Sequence, residues 1–375
     1  MKALSLYAGP LARQHLERQG LQARDVSTIA AAAGGPKGLI LGALDRFIFG
    51  SWLAGTAHEI HLVGASIGAW RMATACLNDP VAAFAQFERD YIHQHFEFLP
   101  GNKMPPPELV SEGFSQNLQK FYGGRVNEVL SHPRFRLHIL TSRGRHLLRR
   151  EHGLRTPLGY LGAFLTNTLH RKAMGAWLER VVFSTPGSAL PFAMDDYRTR
   201  QLGLVESNFY PVLQASCSIP FALKAIHNIP GAPAGAYWDG GITDYHLHLN
   251  FAAAPNAFNS GISDSNGHGA AGQKNLVLYP HFQKSVVPGW LDKGLKWRHR
   301  ATHHLDTMML LAPNPEWVKT LPGGKLPDRN DFARYGNDLA SRVKAWGQAA
   351  RMSAQLVDEF QAWLEKPDMG QVQAL

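Results

Sequence analysis

The chain has 375 residues, 45% hydrophobic and 18% charged, which excludes an intrinsically disordered protein and leaves ample core for one large domain or two small ones. Lysine and arginine exceed aspartate and glutamate by 9. A basic surface of this kind favours anionic partners: phospholipid surfaces, phosphate-bearing substrates or, less specifically, nucleic acid.

The first residues, Met1 to Pro10, carry one lysine and a weak apolar stretch soon broken by Arg13, a poor signal peptide. No run approaches the roughly 18 apolar residues of a spanning helix. Two cysteines, Cys76 and Cys217, lie far apart inside apolar segments. A disulfide framework is thereby excluded and both thiols are expected to be buried. A soluble, cytoplasmic protein is expected.

In chain order, Ser27–Ala33 reads as a strand, followed by the turn Gly34-Gly35-Pro36-Lys37-Gly38 and helical spacing over Leu39–Leu53. A second strand, His58–Val63, runs into Gly64-Ala65-Ser66-Ile67-Gly68 and then a helix over Trp70–Leu77. Helical patterns follow over Pro80–His95 and Glu112–Tyr122, and strands over Arg134–Thr141, Arg180–Ser184 and Asn275–His281. This alternation predicts an α/β fold with helices on both faces of a largely parallel sheet. Ala252–Gln273 is rich in Ala, Asn, Ser and Gly and reads as an exposed insertion. Asp338–Leu364 reads as a docked C-terminal helix. The expected organisation is one domain over residues 1–300, with the flexible insertion near 252–273, and a helical extension over 301–375 packed on it.

Three stretches carry chemistry. Gly64–Gly68 is a G-x-S-x-G sequence between a strand and a helix, the context of a nucleophile elbow that exposes the Ser66 hydroxyl. A serine capping the next helix would give the same pattern. In the first turn, Gly34, Gly35 and Gly38 offer amides with no side chain to block approach, suited to an oxyanion, and the Ile67 amide adds another. Lys37 would add positive charge for the oxyanion or for an anionic head group. Asp239-Gly240-Gly241 follows the apolar Ala236-Tyr237-Trp238 and supplies a carboxylate at a strand end. An Asp-Gly turn bonding its own backbone explains it equally well. Any of 18 histidines is a competing base, although no His-Gly-Gly-Gly oxyanion segment is present.

Taken together these stretches resemble the patatin-like phospholipases, a family of lipid acyl hydrolases. That family carries a D-G-G-G-x-R/K-G loop, then G-x-S-x-G, then A-S/T-x-A-x-P, then D-G-G/A. The corresponding pieces here are Ala32–Gly38, Gly64–Gly68, Ala215-Ser216-Cys217-Ser218-Ile219-Pro220 and Asp239–Gly241, in the same order. The resemblance implies a three-layer α/β/α sandwich and a two-residue dyad of Ser66 and Asp239 without histidine. It also implies an acyl lipid or other ester as substrate, and neither metal nor cofactor. Ala32-Ala33 stands where the family has Asp-Gly, which bears on loop anchoring and substrate range. A non-catalytic lipid- or protein-binding relative, and a hydrolase of soluble short-chain esters or thioesters, are the alternatives.

Five further stretches have bland readings beside sharper ones. His246-Leu247-His248 and His303-His304 lack the spacing of a metal site. The basic run Arg143–Arg150 reads as a solvated turn first and as anionic-lipid attraction second; nucleic acid is not expected, since no nucleic-acid fold signature accompanies it. Val286–Arg300 mixes tryptophans with lysines and arginines, which fits core packing or a peripheral contact with an anionic membrane. Leu154–Leu169 is apolar and glycine-punctuated: a cap over the crevice or a buried helix.

Overall fold

Short apolar runs separated by turn formers build one mixed sheet. The computed structural model describes residues 1–96, 105–253 and 276–375. Among these the strands are β1 (Leu4–Ala8), β2 (Val26–Ala31), β3 (Ile60–Ala65), β4 (Phe135–Gly144), β5 (Leu178–Ser184), β6 (Thr199–Gly203), β7 (Ile226–His227), β8 (Ala236–Asp239), β9 (Leu276–Pro280), β10 (Met308–Pro313) and β11 (Val372–Ala374). The order is β11-β1-β10-β9-β2-β3-β4-β5-β6, with β8 also on β4 and β7 on β8. From β10 through β9, β2 and β3 to β4 the neighbours are parallel, and the antiparallel β1 and β5 flank that block. The central strands are buried on both faces, as parallel strands covered by helices must be. The fold is α/β, a mostly parallel mixed sheet between helical layers.

The way β4 is paired determines where the site lies. Its edge from His138 to Gly144 is occupied by β5. On the other edge, β3 runs parallel to it and stops with Ala65 opposite Leu140. Strand β8 then takes over that same edge from the opposite direction and stops with Asp239 opposite Thr141. The two strands meet head to head. Gly240 lies in the junction, where a Cβ would stand 2.1 Å from the Leu140 carbonyl oxygen and 3.2 Å from the Ala65 Cβ.

The structure departs from the sequence expectations in several places. Residues 301–375 contribute β10 and β11 to the sheet as well as helices. Met308–Pro313 contains no β-branched residue, so propensity gives no strand signal there. The C-terminal helix is two helices, Leu339–Met352 and Ala354–Glu365, divided at the buried Ser353, whose hydroxyl donates to the Ala350 carbonyl. Leu39–Leu53 contains an α-helix only over Gly42–Phe47, between a 3₁₀ stretch and a wider π turn. From residue 254 onward, the insertion expected at 252–273 lies outside the described residues. Among the described residues no helix is long and apolar enough to cross a membrane.

After β3 the chain doubles back as the helix Ile67–Ala75. A Cβ on Gly64 would meet the Ala69 amide nitrogen at 2.6 Å, and a Cβ on Gly68 would meet the Ala31 carbonyl oxygen at 1.9 Å. Both obstacles are backbone and cannot rotate away. Gly68→Ala is therefore expected to cost about 3 kcal/mol or more, read as a lowered midpoint of urea unfolding. A wild-type midpoint would contradict this account of the turn.

Candidate active site

Ser66 sits at the apex of that turn with φ 56° and ψ −128°, a conformation that a side chain ordinarily makes costly. The residue is held there by its neighbours. Its amide donates to the Ser216 hydroxyl at 3.0 Å, and that hydroxyl donates to the Leu140 carbonyl at 2.7 Å. Ser216 thus carries the hydrogen bonding of β3 one step past its end. Behind the turn, Arg71 forms a bidentate pair with Asp45, both contacts at 2.7 Å and both residues buried. This pair ties the helix of the elbow to the helix Gly42–Phe47.

The Ser66 hydroxyl donates to Asp239 Oδ2 at 2.7 Å. The other carboxylate oxygen, Oδ1, accepts the Gly241 amide at 2.7 Å, and the Asp239 amide donates to the Ser218 carbonyl at 2.9 Å. Asp239 is 4% exposed. Burial raises its pKa above the ordinary carboxylate value; the nearby Arg329 charge and the bonds from Ser66 and Gly241 act in the opposite sense, with Lys293 a lesser contribution. No histidine bonds to either Ser66 or Asp239 among the described residues.

The remaining residues singled out in the sequence divide into two groups. Gly35, Ser66 and Ile67 line one cavity. Among the described residues the amides of Gly34, Gly35 and Ile67 have no backbone acceptor, and Ile67 is the first residue of its helix, where amides are free and the helix dipole favours negative charge. Gly35 adopts φ 57°, and a Cβ on Gly34 would lie 2.5 Å from the Phe282 ring. Gly38, by contrast, packs under Ile67, with its Cβ position 3.1 Å from Ile67 Cγ1. Lys37 does not line the cavity. Its Nζ lies 5.1 Å from the centre of the Phe282 ring, and burial lowers its pKa.

The cavity is otherwise largely apolar, walled by Trp70, Val110, Phe114, Ile219 and Leu223, with Gln94 and Tyr91 also in its lining. Cys217 also lines it, a free and buried thiol whose pKa burial raises. Among the described residues Arg329 is the one arginine in the wall, lying over Gly35 with Nε 3.3 Å from that residue's Cβ position. Sequence reasoning missed it: Lys325–Asp331 is an ordinary charged stretch with no motif. Ser216 lies in the segment Ala215–Pro220, but nothing in its spacing reveals the bridge it makes.

The arrangement can accept a proton from a serine hydroxyl in a site mostly closed to water, beside free amides and an apolar chamber. No protein-family model and no curated relative matches the chain.

The strain at position 66 can be separated from its chemistry. Ser66→Ala and Ser66→Gly both delete the hydroxyl, but only glycine relaxes a positive φ. Ser66→Gly is expected to be more stable than Ser66→Ala by about 1 kcal/mol, measured by thermal or urea unfolding. Equal stabilities would mean that the turn is not strained.

Proposed function

We propose that the chain is a serine acyl hydrolase of the patatin-like type, cleaving carboxylic esters of lipids. One observation carries the reading: a serine hydroxyl held on a positive-φ elbow donates at 2.7 Å to a buried carboxylate. Asp239 takes the Ser66 proton as Oγ attacks the ester carbonyl. The carbonyl electrons move to oxygen, and the amides of Ile67, Gly35 and Gly34 stabilise that negative charge. Such donors are typically worth about 3 kcal/mol of barrier each. As the tetrahedral intermediate collapses, the leaving alkoxide takes the proton from Asp239. Water, deprotonated by the same carboxylate, then attacks the acyl-enzyme; the acyl–Oγ bond breaks, the carboxylic acid leaves and Asp239 returns the proton to Ser66 Oγ.

A carboxylate with an ordinary pKa of about 4 is a weak base for an alcohol. Burial of Asp239 raises its proton affinity, which moves it in the useful direction. The apolar wall suits an acyl chain and Arg329 suits an anionic portion of the substrate, which favours a lipid ester over a small soluble one. The free thiols at Cys76 and Cys217 support a cytoplasmic location.

A fluorophosphonate probe is expected to label the wild-type chain and not Ser66→Ala. Asp239→Asn keeps the shape and removes the base, so hydrolysis of an aryl ester should fall by about 10²–10⁴-fold. Absence of labelling, or near-wild-type turnover by Asp239→Asn, would sink the proposal; the first result would favour a binding protein.

The pH profile supplies a separate test. Asp239 must be ionised to act, so kcat/KM should rise as pH increases through its pKa. Arg329 opposes the upward shift that burial imposes. Arg329→Gln removes that opposition, and the acid limb of the profile should move to higher pH. A limb that stays in place or moves to lower pH would show that Asp239 is not the titrating base.

A further inference from the structure

The helix Arg155–Leu169 is built inside out for a protein surrounded only by water. Its inward residues include Thr156, Gly159 and Asn167, all buried, while Leu154, Leu158, Leu161, Leu165 and Leu169 project outward. These five leucines are 75%, 58%, 53%, 54% and 85% exposed. Their spacing, three or four residues apart, puts them along one side of the helix. Scattered exposed leucines require no explanation, but a continuous apolar stripe marks an interaction surface.

The surroundings indicate what covers it. The helix contains no acidic residue, and exposed cations stand at both ends: Arg149, Arg150 and Arg155 at the start, Lys172 just past the finish. The segment carrying Trp297 is fastened to the finish by Arg298, which donates to the Asn167 side chain and to the Thr168 carbonyl at 3.2 Å each. Trp297 itself is 65% exposed. Leucines in the middle, arginines and lysines at the rim and an exposed tryptophan form the pattern of a surface that enters the interface of a bilayer.

The opposite, inward side of the same helix reaches the wall of the cavity. Tyr160, on the inward side of the helix, meets the Phe221 ring at 5.9 Å between centroids. Phe221 is 56% exposed, and its neighbours Ile219 and Ala222 line the cavity that holds Ser66.

We propose that the outward face of helix Arg155–Leu169, with Trp297, docks on an anionic lipid bilayer and sets the cavity mouth against it. Docking requires neither Ser66 nor turnover, so the proposal stands independently of the hydrolase reading. Full-length wild type and Ser66→Ala are expected to pellet with vesicles of equimolar phosphatidylglycerol and phosphatidylcholine, and less with phosphatidylcholine alone. Added salt should weaken the binding. The double variant Leu161→Glu/Leu165→Glu should lose binding by about tenfold or more while keeping the wild-type melting temperature and fluorophosphonate labelling rate, because both leucines are exposed. Wild type left in the supernatant with anionic vesicles would overturn the proposal, as would a double variant that pellets like wild type. So would a wild-type dimer that the double variant dissolves without either protein pelleting, which would make the stripe a contact between copies.

Discussion

Two strands arriving from opposite directions on one edge of β4 create the site. Because β3 is parallel to β4 and β8 antiparallel to it, their carboxyl ends converge, opposite Leu140 and Thr141 respectively. Residues 173 positions apart in sequence are then adjacent in space with no loop required to bring them together. The pairing also accounts for the small residues around Ser66 and Asp239. Gly240 has the Leu140 carbonyl where a side chain would be, and Gly68 has the Ala31 carbonyl. Backbone occupies these positions, so only glycine allows the two ends to close.

What the junction gains in placement it costs in stability. Ser66 holds a positive φ, and Asp239 keeps a carboxylate away from water. Neither persists unless the surroundings over-determine it. Several interactions do so: the Ser216 bridge from the Ser66 amide to β4, the buried Arg71–Asp45 pair behind the elbow, and a second buried set beyond Asp239. In that set Arg180 contacts both Asp244 and Asp196, with Arg171 adding to Asp244. Asp244 is five residues past Asp239, so the ionic cluster fixes the chain that leaves the dyad. A buried ion pair is weak evidence of net stability, but breaking one is costly. Its consequence here is a single geometry for the segment that follows the carboxylate.

The parts readable from sequence were those fixed by local sterics. A serine between glycines after an apolar run, and an aspartate before two glycines after another, announce tight turns because few other residues fit them. The parallel central strands were legible from their apolar runs and their alternation with helices. What was not legible depends on distant partners. Arg329 reaches the cavity because β10 brings the C-terminal third back into the sheet, and β10 itself has no β-branched residue to advertise it. Gly38 and Lys37 sit in a glycine-rich turn like Gly35, yet one packs beneath Ile67 and the other against Phe282. Helix Arg155–Leu169 shows the limit most clearly. Periodicity tells which residues share a side, but not which side faces the core, and here the leucines face out.

The two oxygens of Asp239 have separate partners. Asp239 Oδ1 is held by the Gly241 amide, which leaves Oδ2 to Ser66. In a triad a carboxylate orients a histidine, which does the proton transfer; here backbone orients the carboxylate directly. Under the proposed reaction that substitution has a physical price, because a carboxylate is a far weaker base than imidazole. Burial moves Asp239 towards stronger basicity, while Arg329 and the two hydrogen bonds hold it back. Arg329, in the wall of a largely apolar cavity, is the charge that most opposes the effect of burial on Asp239.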